Sequence, residues 1–271
     1  MTLYQQIKNE GLSIIIPSYN NEAYIGQCIS SVLAHDLVSQ VLVVDDGSSD
    51  DSLKIMHSFN DTRLQTLTHF NNVNRGRSAT RNLGIINAKG LWIGFCDSDD
   101  YWLPNRFAAF HNEYPADLDG IYGHVQNVFF NTESRILYNK DVVGLDEDVD
   151  PSDLLDYMLQ TQRYFSIIAL IFKRAKIDDV GAFDIRLALA EDTDLIWRLA
   201  ANCFLYPEKN KELVCMRRIH EGSSRLRVDM INLYQKKLYE MWSTGERAKL
   251  LSVKSRTLMR AKISQVLRNS S

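Results

Sequence analysis

The sequence predicts an α/β fold in which a mostly parallel central sheet is flanked by helices. Two observations predict it. Across residues 1–100, short β-branched runs alternate with segments whose apolar residues recur at helical spacing, the pattern of parallel βαβ units with helices on both sheet faces. The runs also end in polar or acidic residues, at Ser18-Tyr19-Asn20, Asp45-Asp46 and Asp97 to Asp100. In such sheets the ligand crevice lies outside the carboxyl ends of the strands.

The elements follow in order. Leu12-Ser13-Ile14-Ile15-Ile16 reads as the first strand, stopped by Pro17, which has no N–H for a sheet ladder. Between Ala23 and Leu33, the residues Tyr24, Ile25, Cys28, Ile29, Val32 and Leu33 recur with helical period. Val41 to Val44 is the second strand and runs into Asp45-Asp46-Gly47-Ser48. Asp50 or Ser52 caps a helix carrying Leu53, Ile55, Met56 and Phe59. Leu64 to Leu67 is a third strand, Ser78 to Ala88 a helix, and Leu91 to Cys96 a fourth strand ending at Asp97. After Pro104 the pattern loosens. Residues 120–130 and 166–173 read as strands, 151–163 and 191–202 as helices, and the segment after Val228 as mostly helix.

Composition narrows the classes. A chain of 271 residues, 45% hydrophobic and 24% charged, with a formal net charge of −3, is long enough for one substantial core and does not point to nucleic acid as a partner. Cys28, Cys96, Cys203 and Cys215 are scattered, with no Cys-x-x-Cys pair, so neither a zinc site nor a disulfide framework is expected. That usage fits a reducing compartment. The start, Met-Thr-Leu-Tyr-Gln-Gln, does not read as a secretory signal. The apolar runs fall short of the ~18 residues expected of a membrane span. The expected location is cytoplasmic, at most peripheral on the inner face of a membrane.

Four constellations carry chemistry. Asp97-Ser98-Asp99-Asp100 follows a buried strand; Asp97 and Asp99, one residue apart, can reach one hard cation such as Mg²⁺ or Mn²⁺. The same residues also make good turn or cap chemistry. Glu191-Asp192-Thr193-Asp194 opens a helical pattern; it reads either as an acidic first turn favoured by the helix dipole or as the seat of a general base. Arg75-Gly76-Arg77-Ser78-Ala79-Thr80-Arg81-Asn82 can meet a pyrophosphate at a helix start or form a solvated basic face. His220 lies among Arg217, Arg218, Ser223 and Ser224, which suits either a structural histidine or a phosphate-facing loop. P-loop, dinucleotide-fingerprint and Gly-x-Ser-x-Gly motifs are missing from the sequence.

As an ordered set these residues resemble family 2 glycosyltransferases over roughly residues 12–225. Ile14-Ile15-Ile16-Pro17-Ser18-Tyr19-Asn20 looks like the family's opening strand, with Glu22 beyond it. Val43-Val44-Asp45-Asp46-Gly47-Ser48 looks like its second strand and turn. Asn74 to Gly84 is similar to Asn-x-Gly-x-Ser-x-Ala-Arg-Asn-x-Gly, departing at Thr80 where the family usually has Ala. Asp97-Ser98-Asp99 resembles the Asp-x-Asp motif, Glu191-Asp192 the acceptor-side Glu-Asp, and Arg218-Ile219-His220 with Ser223 the late Arg-x-His-x-x-Ser element.

The resemblance implies a GT-A fold, Rossmann-like in its central sheet, and a metal-dependent inverting transfer of a hexose or N-acetylhexosamine. UDP is the nucleotide it implies for the donor. Pro17, Ser18, Tyr19, Glu22 and Asp46 would surround the nucleobase and ribose, with Arg81, Asp97 and Ser98 completing the nucleotide-sugar site. Asp97, Asp99 and His220 would meet Mn²⁺ or Mg²⁺, and Asp192, beside Glu191, would be the base. It further implies a glycan or lipid-linked glycan acceptor in bacterial surface polysaccharide synthesis, such as lipopolysaccharide, O-antigen or capsule. Two other readings weighed against it are a nucleotidyltransferase, whose Gly-rich phosphate loop is replaced here by Ser18-Tyr19-Asn20-Asn21-Glu22, and an inactive binding module.

Residues 1–225 are therefore expected to form the catalytic domain and 226–271 a basic helical extension. From Arg225 onward basic residues outnumber acidic ones eleven to three. Ile231, Leu233, Tyr234, Leu238, Met241 and Trp242 form an apolar stripe, as do Leu250, Leu251, Val253, Leu258 and Met259. Such helices pack on the domain or on a second subunit of a homodimer, the favoured reading, or lie on an anionic membrane.

Overall fold

The computed structural model describes residues 1–130, 136–145, 148–221, 223 and 228–269. Helix α1 (Leu3–Glu10) precedes the first strand and starts in a capping box between Thr2 and Gln5. Strand β1 (Leu12–Ser18), helix α2 (Ile25–Leu33), strand β2 (Gln40–Asp45), helix α3 (Ser52–His57), strand β3 (Leu64–Thr68), helix α4 (Arg77–Asn87) and strand β4 (Trp92–Phe95) then alternate as expected. The strands β1, β2 and β4 are buried throughout, which is why they read as continuous apolar runs.

Pro17 does not stop the first strand; it pairs with Val44 inside β1. On its other side β1 pairs with β4 only as far as Ile15, whose carbonyl accepts from the Cys96 N–H. Residues 15 and 17 face the same neighbour, so the donor that proline lacks falls where β4 has already ended.

The later chain departs further from the reading by periodicity. The two-residue strand β5 (Tyr101–Trp102) follows the acidic turn. The run 120–130 is two strands, β6 (Gly120–Tyr122) and β7 (His124–Phe130), placed in different sheets. They part at Gly123, where a side chain would strike the Glu208 carboxyl at 2.8 Å. Strand β8 (Ile136–Val143) pairs with β7. Helix α5 (Leu154–Thr161) matches the expected helix within a few residues, and the 166–173 run yields strand β9 (Leu170–Lys173) after a single 3₁₀ turn. Helix α6 (Lys176–Val180), helix α7 (Glu191–Asn202), strand β10 (Leu205–Pro207) and strand β11 (Leu213–Ile219) complete the described elements up to Ile219.

Seven strands form the main sheet in the order β10-β6-β9-β4-β1-β2-β3. All its pairings are parallel except those of β9, which runs antiparallel between β4 and β6. A smaller sheet, β5-β11-β7-β8, carries the late basic strand to the acidic turn.

The segment after residue 228 folds as helices α8 (Val228–Ser243), α9 (Gly245–Lys249) and α10 (Val253–Asn269). The expected boundary at residues 225 and 226 lies outside the described residues, as does Ser224. Leu238, Trp242, Leu251 and Met259 are buried in the same apolar cluster as the sheet. Among the described residues no helix is long and apolar enough to cross a membrane.

Beside the smaller sheet, Arg106 and Glu208 form a fully buried ion pair at 2.7 Å. Burial pushes the Glu208 carboxyl up to about 7, and the Arg106 charge offsets this only in part. Between its ordinary value of 4.5 and that value the folded protein keeps a proton the unfolded chain has lost, so stability falls as pH rises through the window. Glu208→Gln leaves an oxygen to accept from Arg106 and removes the titration. Thermal unfolding at pH 5 and pH 8 should therefore show a greater loss in the wild type than in E208Q; equal losses would refute the coupling.

Candidate active site

The carboxyl ends of β4, β1 and β2 lie side by side and bring together Asp97, Ser18 and Asp45-Asp46. Asp45 is fully buried and accepts from the Gly47 and Ser48 N–H groups at 3.0 and 2.9 Å, closing the turn after β2. Gly47 has φ +81, and an added Cβ would lie 2.7 Å from the Asn72 carbonyl; only glycine fits there. Asp46 is also buried, its two oxygens accepting from the N–H groups of Arg75 (2.6 Å) and Gly76 (2.9 Å). Its carboxylate is thus turned to the loop before α4.

The other expected donor-side residues line the same end. Pro17 and Ser18 are buried, and the Ser18 hydroxyl has no hydrogen-bond partner among the described residues. Tyr19 is 49% exposed above them. Glu22 accepts from the Asp51 N–H at 2.8 Å, while Asn20 and Asn21 bond to Ser48, Ser49 and Ser52. Ser98 is bound by the Asn21 side-chain amide at 2.5 Å, which ties the loop after β1 to the turn after β4.

Arg81 is the hub. It is 3% exposed, and its two terminal nitrogens donate to Glu191 and Asp97, each at 2.6 Å. The guanidinium also lies over the Phe183 ring. Burial pushes the Asp97 carboxyl up, yet Arg81 first, then Arg77 and Arg217, bring it below its ordinary value. Glu191, 2% exposed, stays above its ordinary value because burial outweighs the Arg81 charge. Asp192 is half-buried in the first turn of α7 and its carboxylate accepts from the Thr193 N–H at 2.7 Å. The residue before this helix, Ala190, has φ 63; a non-glycine residue there is strained by about 1–3 kcal/mol, and such strain clusters at functional sites.

Asp99 and His220 meet across the crevice, the ring nitrogen 3.2 Å from the carboxylate, with side chains 27% and 17% exposed. The His220 ring packs on Tyr24, and the His220 backbone N–H donates to the Ser223 hydroxyl. Beneath them Arg218 donates to the Asp99 carbonyl at 2.6 Å and to Gln27, between the rings of Tyr101 and Tyr24. Asp100 is 1% exposed and held by the Arg218 N–H; burial and the neighbouring carboxylates Asp99 and Asp97 push it well above the carboxylate range. A carboxylate and an imidazole at the mouth of the crevice fit Mn²⁺ or Mg²⁺. Among the described residues no three His, Cys, Asp or Glu side chains converge on one point.

Two cations that the sequence placed only within wider basic segments have defined neighbours here. Arg77, half-exposed, stands 3.7 Å from Glu191, and Arg217 is fixed by Asn127 at 2.9 and 2.7 Å. Adjacent residues on a strand face opposite ways, so Arg217 and Arg218 serve different sides of β11. Asn127, on a separate strand, carries no signal in the sequence.

The family model described as "Glycosyl transferase family 2" matches residues 13–174. UDP-Glc:alpha-D-GlcNAc-diphosphoundecaprenol beta-1,3-glucosyltransferase WfgD of Escherichia coli is 42% identical over 96 residues, 35% of this chain and 37% of that protein. The chain covers 49%, 37% and 31% of the lengths of three curated relatives it matches. S. aureus TarS in complex with UDP-GlcNAc superposes with a TM-score of 0.65 at 20% identity, covering 94% of this chain and 72% of that one. Mannosyltransferase PcManGT from Pyrobaculum calidifontis, in complex with GDP-Man and Mn²⁺, gives 0.64 at 14% identity, covering 96% and 75%. The fold is that of the GT-A glycosyltransferases. With the motifs in order along one crevice and the family model spanning more than half its length, the chain belongs to glycosyl transferase family 2.

Proposed function

We propose that this glycosyltransferase is metal-dependent and inverting, and moves a hexose or N-acetylhexosamine from a UDP-sugar to a hydroxyl of a lipid-linked glycan in bacterial surface polysaccharide synthesis. The observation that carries the reading is the Arg81 bridge, which joins Asp97 at the end of β4 to Glu191 at the start of α7. One cation thereby couples a donor half to an acceptor half. The UDP-glucose donor and diphospholipid acceptor in the name of WfgD support the substrate classes.

Tyr19 packs on the base, with Pro17, Ser18 and Glu22 around the nucleoside. Asp46 acts through the loop it holds. Asp99 and His220 would hold the cation, with Asp97 beside them. Arg77 and Arg217, whose charges reach Asp97, meet the diphosphate. The chemistry such a cation would supply there is neutralisation of charge on the departing nucleoside diphosphate. Asp192 takes the proton of the acceptor hydroxyl as that oxygen bonds to the anomeric carbon. The bond from that carbon to the diphosphate oxygen breaks on the opposite face, so configuration inverts. Glu191, buried against Arg81, orients rather than reacts.

The test is a thermal-shift panel of UDP-glucose, UDP-galactose and their N-acetyl forms with Mn²⁺, followed by calorimetry on Asp99→Ala. One UDP-sugar should stabilise the protein only with the metal, and D99A should weaken that affinity about 10–100-fold, as loss of a metal-site group does. Unchanged affinity in D99A would remove Asp99 from the metal site.

A further inference from the structure

The C-terminal helices join the rest of the protein through charges that surround the acceptor-side motif. Asp194 is fully buried on α7, two residues beyond Asp192. It accepts from Arg198 (3.0 Å) on its own helix, and from Trp242 Nε1 (2.9 Å) and Arg247 Nη2 (2.8 Å) of the C-terminal segment. The same Arg247 nitrogen reaches Asp184 at 3.0 Å. Asp184 lies in the segment that leads into Glu191.

That segment hangs from three supports. Arg198 donates to the carbonyls of Val180, Gly181 and Ala182. Ser78 and Asn82, on α4, hold Leu187 and Phe183. Arg247 and Lys237 hold Asp184 and the Arg186 carbonyl from the C-terminal side. We propose that residues 228–269 are a positioning element of the acceptor half of the site, and that Arg247 is the positioning residue through which they act. By bridging Asp184 and Asp194 it pins both ends of the stretch that carries Glu191 and Asp192. The inference rests on the reading of Asp192 as the base.

The physical reason is the burial of Asp194. Without Arg247 and Trp242 its carboxylate keeps one cation and loses two donors inside the protein, where unmet polar groups are costly. Opening the first turn of α7 relieves this most directly, because that turn is entered through the strained Ala190. Asp192 moves with it, and a base displaced by about 1 Å can lose two orders of magnitude in rate.

The test compares full-length Arg247→Ala, Arg247→Lys and Trp242→Phe with wild type and Asp192→Asn. UDP binding with Mn²⁺ reads the donor half, hydrolysis of UDP-glucose to UDP and glucose reads the base, and hydrogen exchange reads residues 183–195 against residues 12–46. R247A is expected to speed exchange over 183–195 and lower hydrolysis, each about tenfold or more. UDP affinity and exchange over 12–46 should stay as in wild type. R247K, which keeps a cation, should recover part of the loss, and W242F should show a smaller loss of the same kind. Unaltered exchange over 183–195, or equal changes in both halves, would overturn the proposal. Wild-type hydrolysis in D192N would instead remove the base assignment, leaving the exchange comparison to judge the clamp.

Discussion

Asp192→Asn is expected to lower sugar transfer by about 10²–10⁴-fold, the usual contribution of a positioned general base. UDP binding with Mn²⁺ should be spared. The amide keeps the shape of the side chain and the oxygen that accepts from the Thr193 N–H, so the first turn of α7 stays folded while the proton acceptor is lost. Asp192 is the half-buried carboxylate of its group, whereas Glu191 and Asp194 are buried and committed to arginines. Initial rates at saturating donor, alongside calorimetry with UDP, separate the two effects. Transfer near the wild-type rate would take Asp192 out of the role, and a matching loss of UDP affinity would show that the change had damaged the donor half.

Arg81→Met is expected to destabilise the protein by about 3–5 kcal/mol, the range for breaking a buried pair by removing one partner. The variant leaves Glu191, at 2% exposure, and Asp97 without the cation between them. In the wild type Asp97 is held below its ordinary value of 3.8, so its contribution is present above that value and disappears as pH falls through the folded-state one. In R81M both carboxyls take up protons more readily, and the deficit grows from acid toward neutral pH. Arg81→Lys should recover only part, since one ammonium cannot reproduce a planar fork reaching two carboxylates. Urea unfolding of R81M, Glu191→Gln and the double variant provides the check. The double variant should lose less than the sum of the singles, because both remove the same interaction. A loss under about 1 kcal/mol in R81M, as for a solvated surface pair, would rule out the bridge.

The strands β1, β2 and β4 were legible because each is buried on both faces and so is written as an uninterrupted apolar run. Their ends were legible because polar residues follow each run. Helices α4 and α7 were legible to within a residue from their apolar period. The short strands β5, β10 and β11 were not. Two and three residues, in β5 and β10, give periodicity too little length to act on; β11 is buried only in part and so is not written as an apolar run, and β5 pairs only with it. The first helix, with its capping box of Thr2 and Gln5, was legible in principle, since that motif is local.

By itself the sequence determined which residue types stand at the strand ends, in what order, and hence the family. Only the tertiary structure decided which charges meet. Arg81 reads from the sequence as a basic residue near a helix start; that it bridges Asp97 and Glu191, 16 and 110 positions away, follows from the packing of α4 across β1 and β2. The C-terminal helices likewise read as an apolar stripe with a basic surplus, and only the fold brought Trp242 and Arg247 onto the buried Asp194. Pattern along a chain records whether a residue is inside or outside, because burial acts on each side chain separately. An ion pair depends on distance in space, which the chain acquires only when it folds.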